Sequence, residues 1–170
     1  MRTLTVRLNS GNQIEVCCGS ESRCGECYYL SLSESAGDNG SAEAAPRTAL
    51  QHGLQGLLRE WTKQLQSLDD GDLLWLPFDF SDEYTRWLAV NRSGDEASLV
   101  FGWAPVEGWA IDPQNLGQLP RTLESFVPDE PLVVQVCSWK QLLMDVAESE
   151  LQANPENPAI NHQTPGKNHT

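Results

Sequence analysis

Four of the five cysteines lie between Cys17 and Cys27, and thiolates are the side chains that most often bind zinc and iron–sulfur clusters. Cys24 and Cys27 are separated by two residues, a spacing at which a turn brings both sulfur atoms to one side of a shared ion. Cys18 or Cys17 is near enough in sequence to supply a third ligand. This segment could therefore bind a metal.

The fourth ligand that a tetrahedral site needs is missing from this segment. Cys137 lies far along the chain, and His52 is the one histidine outside the predicted tail. We therefore favour a turn whose thiols are reduced and partly buried, as in a cytoplasmic protein. A metal site formed by Cys18, Cys24 and Cys27, holding zinc or an iron–sulfur cluster, is one alternative. A redox-active dithiol formed by the last two is another.

The order of these thiols resembles a known iron–sulfur motif. Cys18, Cys24 and Cys27, followed by a predicted strand, are similar to the cluster-binding loop of adrenodoxin-type 2Fe–2S ferredoxins. The resemblance covers ten residues and implies a cluster held by these thiolates and one more. The chain departs from that family because it lacks the helix between hairpin and loop and a later fourth cysteine at a suitable distance.

Carboxylates form the next candidate site. Asp79, Asp82 and Glu83 lie at one predicted hairpin, and Asp95 and Glu96 lie at another. Such groups could bind Mg²⁺ or Ca²⁺, or supply the acid and the base of a hydrolase. Hairpin turns also select aspartate because its side chain accepts hydrogen bonds from nearby backbone amides. We interpret both groups as solvated turns and keep a carboxylate-dependent hydrolase as an alternative.

The histidines are poorly placed for catalysis. His52 faces the solvent side of a predicted helix, and His162 and His169 fall in the predicted tail. We assign no catalytic residue from the sequence.

The segment from Asp69 to Asp112 combines acidic residues with large aromatic rings. It holds ten of the chain's acidic residues and four of its six tryptophans, but only two cations, in a chain of formal net charge −13. Such a mixture favours a surface for a basic partner. The same charge disfavours nucleic acid and anionic lipid as partners.

These residues give the predicted function, which is non-catalytic binding of a basic protein. A stoichiometric inhibitor, such as an immunity protein that blocks a basic toxin, is one instance. Trp75 and Trp87 would share one face of paired strands and form an aromatic patch, although burial under the N-terminal strands explains them equally well. The predicted partner-binding residues are Asp79, Asp82, Glu83, Trp75, Trp87, Asp95 and Glu96.

The elements that must position these residues follow from hydrophobic periodicity. Ser138 and Gln141 have capping-box spacing, and Pro77 marks its strand as an edge strand. The predicted strands are Thr3–Leu8, Gln13–Cys18, Tyr28–Ser33, Leu74–Phe80, Tyr84–Asn91, Ala97–Trp103, a short strand at Trp109 and Ile111, and Leu132–Val136. The predicted helices are Thr48–Leu68, a short one at Pro120–Val127, and Ser138–Leu151.

This order predicts one α+β domain over residues 1–152, with a flexible linker at 34–46 and a disordered C-terminal tail at 153–170. A three-strand meander and a later meander of four to five strands would form an antiparallel sheet, with two amphipathic helices packed on one face. The first residues alternate like a strand and lack the apolar core of a signal peptide, and no apolar run is long enough for a membrane span. We therefore expect a cytoplasmic protein.

Overall fold

The first sheet is an antiparallel meander of β1 (Leu4–Leu8), β2 (Ile14–Cys18) and β3 (Glu21–Gly25). The computed structural model describes residues 2–30 and 47–157, so the predicted linker and residues 158–170 of the predicted tail lie outside the described residues. The predicted third strand at 28–33 is wrong where it can be compared, because residues 28–30 form a turn. The strand runs instead through the cysteine segment, since Gly19, at φ 59°, permits a two-residue hairpin directly after β2.

The second meander forms a separate sheet of β4 (Leu73–Pro77), β5 (Thr85–Ser93), β6 (Glu96–Ala104), β7 (Val127–Pro128) and β8 (Gln135–Ser138). All pairs are antiparallel, in the order β4-β5-β6, and β7 and β8 pair with opposite halves of the second edge of β6. β4 is at the edge, as Pro77 predicts.

Two helices complete the α+β fold that the sequence predicts. α1 (Arg47–Gln66) and α2 (Trp139–Ala153) pack on each other, and each contacts both sheets. Ser138 accepts a hydrogen bond from the Gln141 amide at 3.4 Å, which confirms the predicted N-cap of α2. Helical spacing predicts Leu151 in the apolar stripe of α2, but this side chain is exposed. The apolar stripe that helical spacing predicts for the first helix is buried at every position. Its residues are Leu50, Leu54, Leu57, Leu58, Trp61, Leu65 and Leu68.

The residues that follow β3 form hydrogen bonds with the residues that follow β4, and these bonds join the two sheets. The Phe80 amide donates to the carbonyl of Glu26 at 2.8 Å, and the Tyr29 amide donates to the carbonyl of Phe80 at 3.2 Å. This approach requires glycine at position 25, because a Cβ atom there would lie 2.0 Å from the carbonyl oxygen of Phe78. The first sheet therefore adjoins the second at the Asp79 hairpin.

Residues 105–126, which we call the covering segment, lie over the face of the second sheet that carries Trp75 and Trp87, and part of this segment also contacts α1. The strand predicted at Trp109 and Ile111 and the helix predicted at Pro120–Val127 are absent, and this segment contains the 3₁₀ turns Gly108–Ala110 and Leu116–Gln118. Prolines recur at positions 105, 113 and 120, where each removes a backbone donor and restricts its predecessor. Neither of the two helices within the described ranges is apolar over a stretch that could cross a membrane.

Candidate functional site

The acidic residues predicted to contact a partner separate into two groups at opposite ends of β5. Asp82 and Glu83 precede this nine-residue strand, while Asp95 and Glu96 follow it, so about 30 Å separates the groups. The second group is enlarged by a neighbouring turn that begins at Asp69. We call the five carboxylates of these two turns the acidic end: Asp69, Asp70, Asp72, Asp95 and Glu96.

Backbone contacts hold the two turns of the acidic end together. The Gly94 amide donates to Oδ1 of Asp70 at 2.6 Å, and the Gly71 amide donates to the carbonyl of Arg92 at 2.9 Å. The Arg92 guanidinium lies between these turns. It donates to the carbonyl of Leu68 at 2.7 Å and to that of Gly94 at 3.4 Å, and it stacks 4.7 Å from the ring centroid of Trp139.

The charge of the acidic end is only partly offset, by the Arg92 guanidinium that lies between its turns. No ion pair within the described part of the chain includes any of its five carboxylates. Arg86, the other cation of the acidic segment, lies 3.4 Å from Asp129, which also pairs with Arg23 at 2.8 Å. The negative potential at this end therefore faces solvent.

Asp79 corrects the prediction of a solvated turn. Its side chain is 8% exposed, and its Oδ1 accepts hydrogen bonds from the amides of Glu26 at 3.2 Å and Ser81 at 3.1 Å. Burial raises the pKa of Asp79, although the bonds that its carboxylate accepts and the charge of Arg86 act in the opposite direction. The contacts of Asp79 thus support the junction between the sheets.

The other two carboxylates of this hairpin are exposed, and Asp82 is also engaged within the chain. Its Oδ1 accepts a hydrogen bond from the Tyr29 hydroxyl at 2.6 Å. That bond is the main reason why the pKa of Tyr29 is raised to about 12. Glu83 lies beside it, facing solvent.

Trp75 and Trp87 share one face of β4 and β5, as predicted, but they do not form an exposed patch. The β4–β5 register places both rings on the face beneath the covering segment, which buries Trp87. The predicted alternative cover, the N-terminal strands, lies elsewhere. Together the two rings line a cavity of about 910 Å³.

The indole nitrogens of these two residues differ in their partners. Nε1 of Trp87 donates to Oγ1 of Thr85 at 2.8 Å, and both side chains are buried. Nε1 of Trp75 is also buried but has no hydrogen-bond partner among the residues that the structure describes. Asp79, Asp82 and Glu83, the predicted acid and base candidates, do not line this cavity.

The predicted metal ligands point in different directions. Cys24 is exposed on β3, whereas Cys18 and Cys27 are buried, and burial raises the pKa of each buried thiol to about 12. Within residues 2–30 and 47–157, no three His, Cys, Asp or Glu side chains form a group that could hold a metal ion. The sequence predicts that these cysteines lie in a loop. Most of them lie instead on the two paired strands of a hairpin, where successive side chains point to opposite faces.

Strand β8 and the residues before it present an apolar stripe that the sequence does not predict. Leu132, Val134 and Val136 are 61%, 49% and 59% exposed, while Cys137 is buried. The sequence predicts a strand here but not that its apolar side chains remain uncovered. The sequence feature that could have indicated an exposed stripe is the uninterrupted apolar run of residues 132–134 directly after Pro131.

The backbone of β8 is open on one edge. The Trp139 amide donates to the carbonyl of Asp95 at 2.8 Å, and antiparallel ladders bond at every second residue. Cys137 and Gln135 therefore face β6, whereas the amides of Val136 and Val134 face away from it. Neither of these two amides donates a hydrogen bond within the described ranges.

The stripe adjoins the acidic end, because Ser138 of β8 pairs with Glu96 and Val136 pairs with Ser98. An apolar edge and a cluster of exposed carboxylates thus form one continuous surface. No protein-family model matches the chain, and neither a curated protein nor a solved structure is similar to it.

Proposed function

We propose that this protein binds another protein, and that β8 and the acidic end together receive a basic, extended segment of the partner. The observation that carries the proposal is the exposed stripe of Leu132, Val134 and Val136 on a strand with an open edge. An exposed apolar edge strand is a template for pairing with another chain, and natural proteins usually protect such edges. A partner strand added at this edge would gain affinity from hydrogen bonds with the outward amides of β8. Its selectivity would come from side-chain contacts with the apolar stripe.

Charge specifies the kind of partner. The five carboxylates of the acidic end form no ion pair among the described residues, and the whole chain carries −13. A negative surface accelerates the approach of a positive one and suppresses binding of acidic proteins. Lysine or arginine at one end of the added strand would reach the acidic end, and apolar residues would follow along β8.

Only some of the predicted partner-binding residues belong to this surface. Asp95 and Glu96 are part of it, whereas Asp82 and Glu83 lie at the far end of the sheet. The side chains of Asp79 and Trp87 are buried. Trp75 lines the cavity.

A stoichiometric inhibitor that covers the basic active site of its target, as an immunity protein does, is the instance that we propose. Such inhibitors act by charge complementarity and require no catalytic group. All five cysteines are free, which supports a reducing compartment such as the cytoplasm.

The proposal can be tested with a fluorescent peptide of about ten residues that alternates lysine and valine, a pattern suited to one face of an added strand. Fluorescence anisotropy with the full chain should show binding that weakens as salt rises. Val136→Pro removes an outward donor but no bond to β6, so we expect the fold to persist and the affinity to fall by about tenfold or more.

Two controls make this experiment decisive. Val136→Thr keeps the amide and the strand propensity, so it should bind more tightly than the proline variant. A peptide with glutamate in place of lysine should not bind. Equal affinity of the proline variant and the unaltered chain, or equal binding of both peptides, would contradict the proposal. Co-purification from the native host should then recover a basic protein with the unaltered chain and lose it with Val136→Pro.

A further inference from the structure

Two exposed aromatic residues form a corner at the end of the second sheet that lies opposite the acidic end. Tyr84 directly precedes β5, Trp103 lies near the end of β6, and these residues are 53% and 36% exposed. Their ring centroids are 5.3 Å apart, and the ring planes meet at 79°. We call this pair the aromatic corner. Edge-to-face packing leaves ring faces open to a further molecule, and tyrosine and tryptophan are prominent among the residues that dominate binding energy at interfaces.

The chain covers other aromatic rings with its own guanidinium groups. Arg23 lies 5.4 Å from the ring centroid of Phe101, and Arg92 lies 4.7 Å from that of Trp139. Among the described residues, no arginine or lysine stacks in this way on the aromatic corner. The face of an aromatic ring attracts cations, most often arginine. The aromatic corner thus offers open ring faces of the kind that guanidinium groups cover elsewhere in this protein.

The surroundings of the aromatic corner are negatively charged. The Ser81 hydroxyl donates to the carbonyl of Tyr84 at 2.6 Å, and the carbonyl of Ser81 accepts from the Gly108 amide at 2.7 Å. These bonds bring two acidic segments, residues 78–85 and 104–112, to the same end of the sheet. Neither segment contains a lysine or an arginine. Their exposed carboxylates near the corner are those of Asp82, Glu83 and Glu107.

The nearest cation belongs to a balanced network of ion pairs. Arg86 pairs with Trp103 across β5 and β6, and its guanidinium lies 3.4 Å from Asp129. That carboxylate also pairs with Arg23 at 2.8 Å, and Arg23 pairs with Glu21 at 3.0 Å. Two guanidinium groups and two carboxylates leave the network without net charge. The three exposed carboxylates therefore determine the sign of the local potential, which favours a cationic ligand.

We propose that the aromatic corner binds an arginine side chain of a partner protein. The guanidinium stacks on the open ring faces and is attracted by Asp82, Glu83 and Glu107. Arginine suits this position better than lysine, because its guanidinium is planar, stacks on aromatic faces and is more weakly hydrated than an ammonium group. The contact goes beyond the proposed function, since it shares no residue with β8 or the acidic end. Failure of either proposal leaves the other intact.

The probe is an acetylated and amidated pentapeptide with one arginine among glycine and serine residues. The same peptide with citrulline is its control, because citrulline has nearly the shape of arginine without the charge. Titration of the isotopically labelled full chain, followed by NMR, should shift the indole N–H resonance of Trp103 saturably. Loss of that resonance in Trp103→Phe identifies it. The citrulline peptide should bind about twofold to fivefold more weakly, as expected for a cation–π contact at an exposed site.

Matched substitutions of Tyr84 test the role of the ring. Tyr84→Phe keeps the ring and should bind the arginine peptide like the unaltered chain. Tyr84→Leu removes the ring and should weaken binding by about twofold to fivefold. Both variants should fold, because Tyr84 is exposed. Asp95→Asn with Glu96→Gln, at the other end of β5, should leave the affinity nearly unchanged.

Four results would overturn the assignment. The first is equal affinity for the arginine and citrulline peptides, and the second is equal binding by Tyr84→Phe and Tyr84→Leu. The third is the absence of a saturable shift of the Trp103 resonance. The fourth is a loss of affinity in Asp95→Asn with Glu96→Gln as large as that in Tyr84→Leu, because the peptide would then respond only to net charge.

Discussion

The Asp145 carboxylate on α2 accepts a hydrogen bond from the backbone amide of Leu4 on β1 at 2.9 Å. The same oxygen accepts from Thr3 at 2.8 Å, and Ser149, one helical turn further, accepts from the Val6 amide at 3.1 Å. Four helical residues rise about 6 Å and two strand residues about 6.6 Å, so the spacings match. Side chains of α2 therefore satisfy the free edge of β1, whereas no such contact within the described residues reaches the outward amides of β8.

Asp145→Ala should be among the most destabilising substitutions in α2. It leaves two backbone amides without an acceptor in a buried site, at about 1–3 kcal/mol each. Ser149→Ala removes one acceptor and should cost about 1–2 kcal/mol. Met144→Ala, on the exposed side of the same helix, should be within about 0.5 kcal/mol of the unaltered chain. Urea unfolding of the three variants tests this order, and an equal cost for Asp145→Ala and Met144→Ala would contradict it.

Asp79→Asn should be tolerated where Asp79→Ala is not. An asparagine Oδ1 can accept the bonds that the amides of Glu26 and Ser81 donate, whereas alanine leaves both donors unpaired, at about 1–3 kcal/mol each. Denaturant unfolding near neutral pH should therefore place the asparagine variant close to, or above, the unaltered chain. Equal destabilisation by the two substitutions would show that these amides do not need the side chain.

The pH dependence of these variants has a predictable sign. The pKa of Asp79 is raised on folding above its ordinary value of 3.8, so the folded state binds more protons than the unfolded state between the two pKa values. The contribution of Asp79 to stability is therefore greatest below the unfolded pKa and falls as pH rises through the folded pKa. The stability of Asp79→Asn relative to the unaltered chain should increase over this window. A relative stability that does not change with pH would indicate an unshifted carboxyl.

Two glycines should respond oppositely to alanine. At Gly25 a Cβ would overlap the Phe78 carbonyl oxygen and also meet Asp79, so Gly25→Ala should separate the sheets and cost several kcal/mol. Gly56 lies inside α1, and a Cβ added there would meet no atom within 4 Å, so Gly56→Ala should stabilise by about 1 kcal/mol. Thermal melting distinguishes the two. A stable Gly25→Ala protein would mean that the junction between the sheets can relax.

Thiol labelling should reveal one reactive cysteine and a group of protected ones. Cys24 is exposed and should react first in the native protein, followed more slowly by Cys17, which is partly exposed. Burial raises the pKa of Cys18 and Cys27 to about 12 and that of Cys137 to about 11, so these thiols stay protonated and unreactive. Mass spectrometry after brief alkylation would count the modified residues. Rapid modification of Cys27 would contradict the described packing.

Elements with a strong local signal could be predicted from the sequence, and contacts between distant segments could not. The leucine stripe of α1 and the Ser138 cap of α2 need only helical spacing and one polar side chain, and both are confirmed. The alternation of β4 and β6 likewise predicts which face is buried. The burial of Asp79 could not be predicted, because its carboxylate accepts from Glu26, which lies far away in sequence.

The candidate surfaces show the same limit. Strand pairing is local and places Trp75 and Trp87 on one face, but their cover is a proline-rich segment without a periodic pattern. The exposed stripe of β8 could not be predicted, because an apolar strand at a sheet edge and one in a sheet centre have the same composition. Asp145 and Ser149 occupy buried positions on α2, and only the approach of β1 explains polar side chains there.

The acidic end should control the rate at which a basic partner associates. Asp95→Asn with Glu96→Gln removes two charges beside β8 without adding bulk, and both side chains are exposed, so the fold should persist. Association with the lysine–valine peptide should slow by about threefold to tenfold at low salt, because the Debye length is then about 30 Å, and the difference should shrink near about 0.15 M salt. Dissociation should change much less.

A matched control removes the same charge from the other end of the sheet. The control variant combines Glu83→Gln with Glu107→Gln, and both side chains are exposed. The two residues lie near each other, because the Gly108 amide donates to the carbonyl of Ser81, at the end of the sheet opposite the acidic end. Stopped-flow association of this variant should slow less than that of the acidic-end variant, since its charges lie at the opposite end of β5 from Asp95 and Glu96. If both variants slowed association equally, net charge alone would attract the peptide. If neither did, the acidic end would serve only to keep the turns of β5 solvated, and binding at β8 would depend on the apolar stripe and its outward amides.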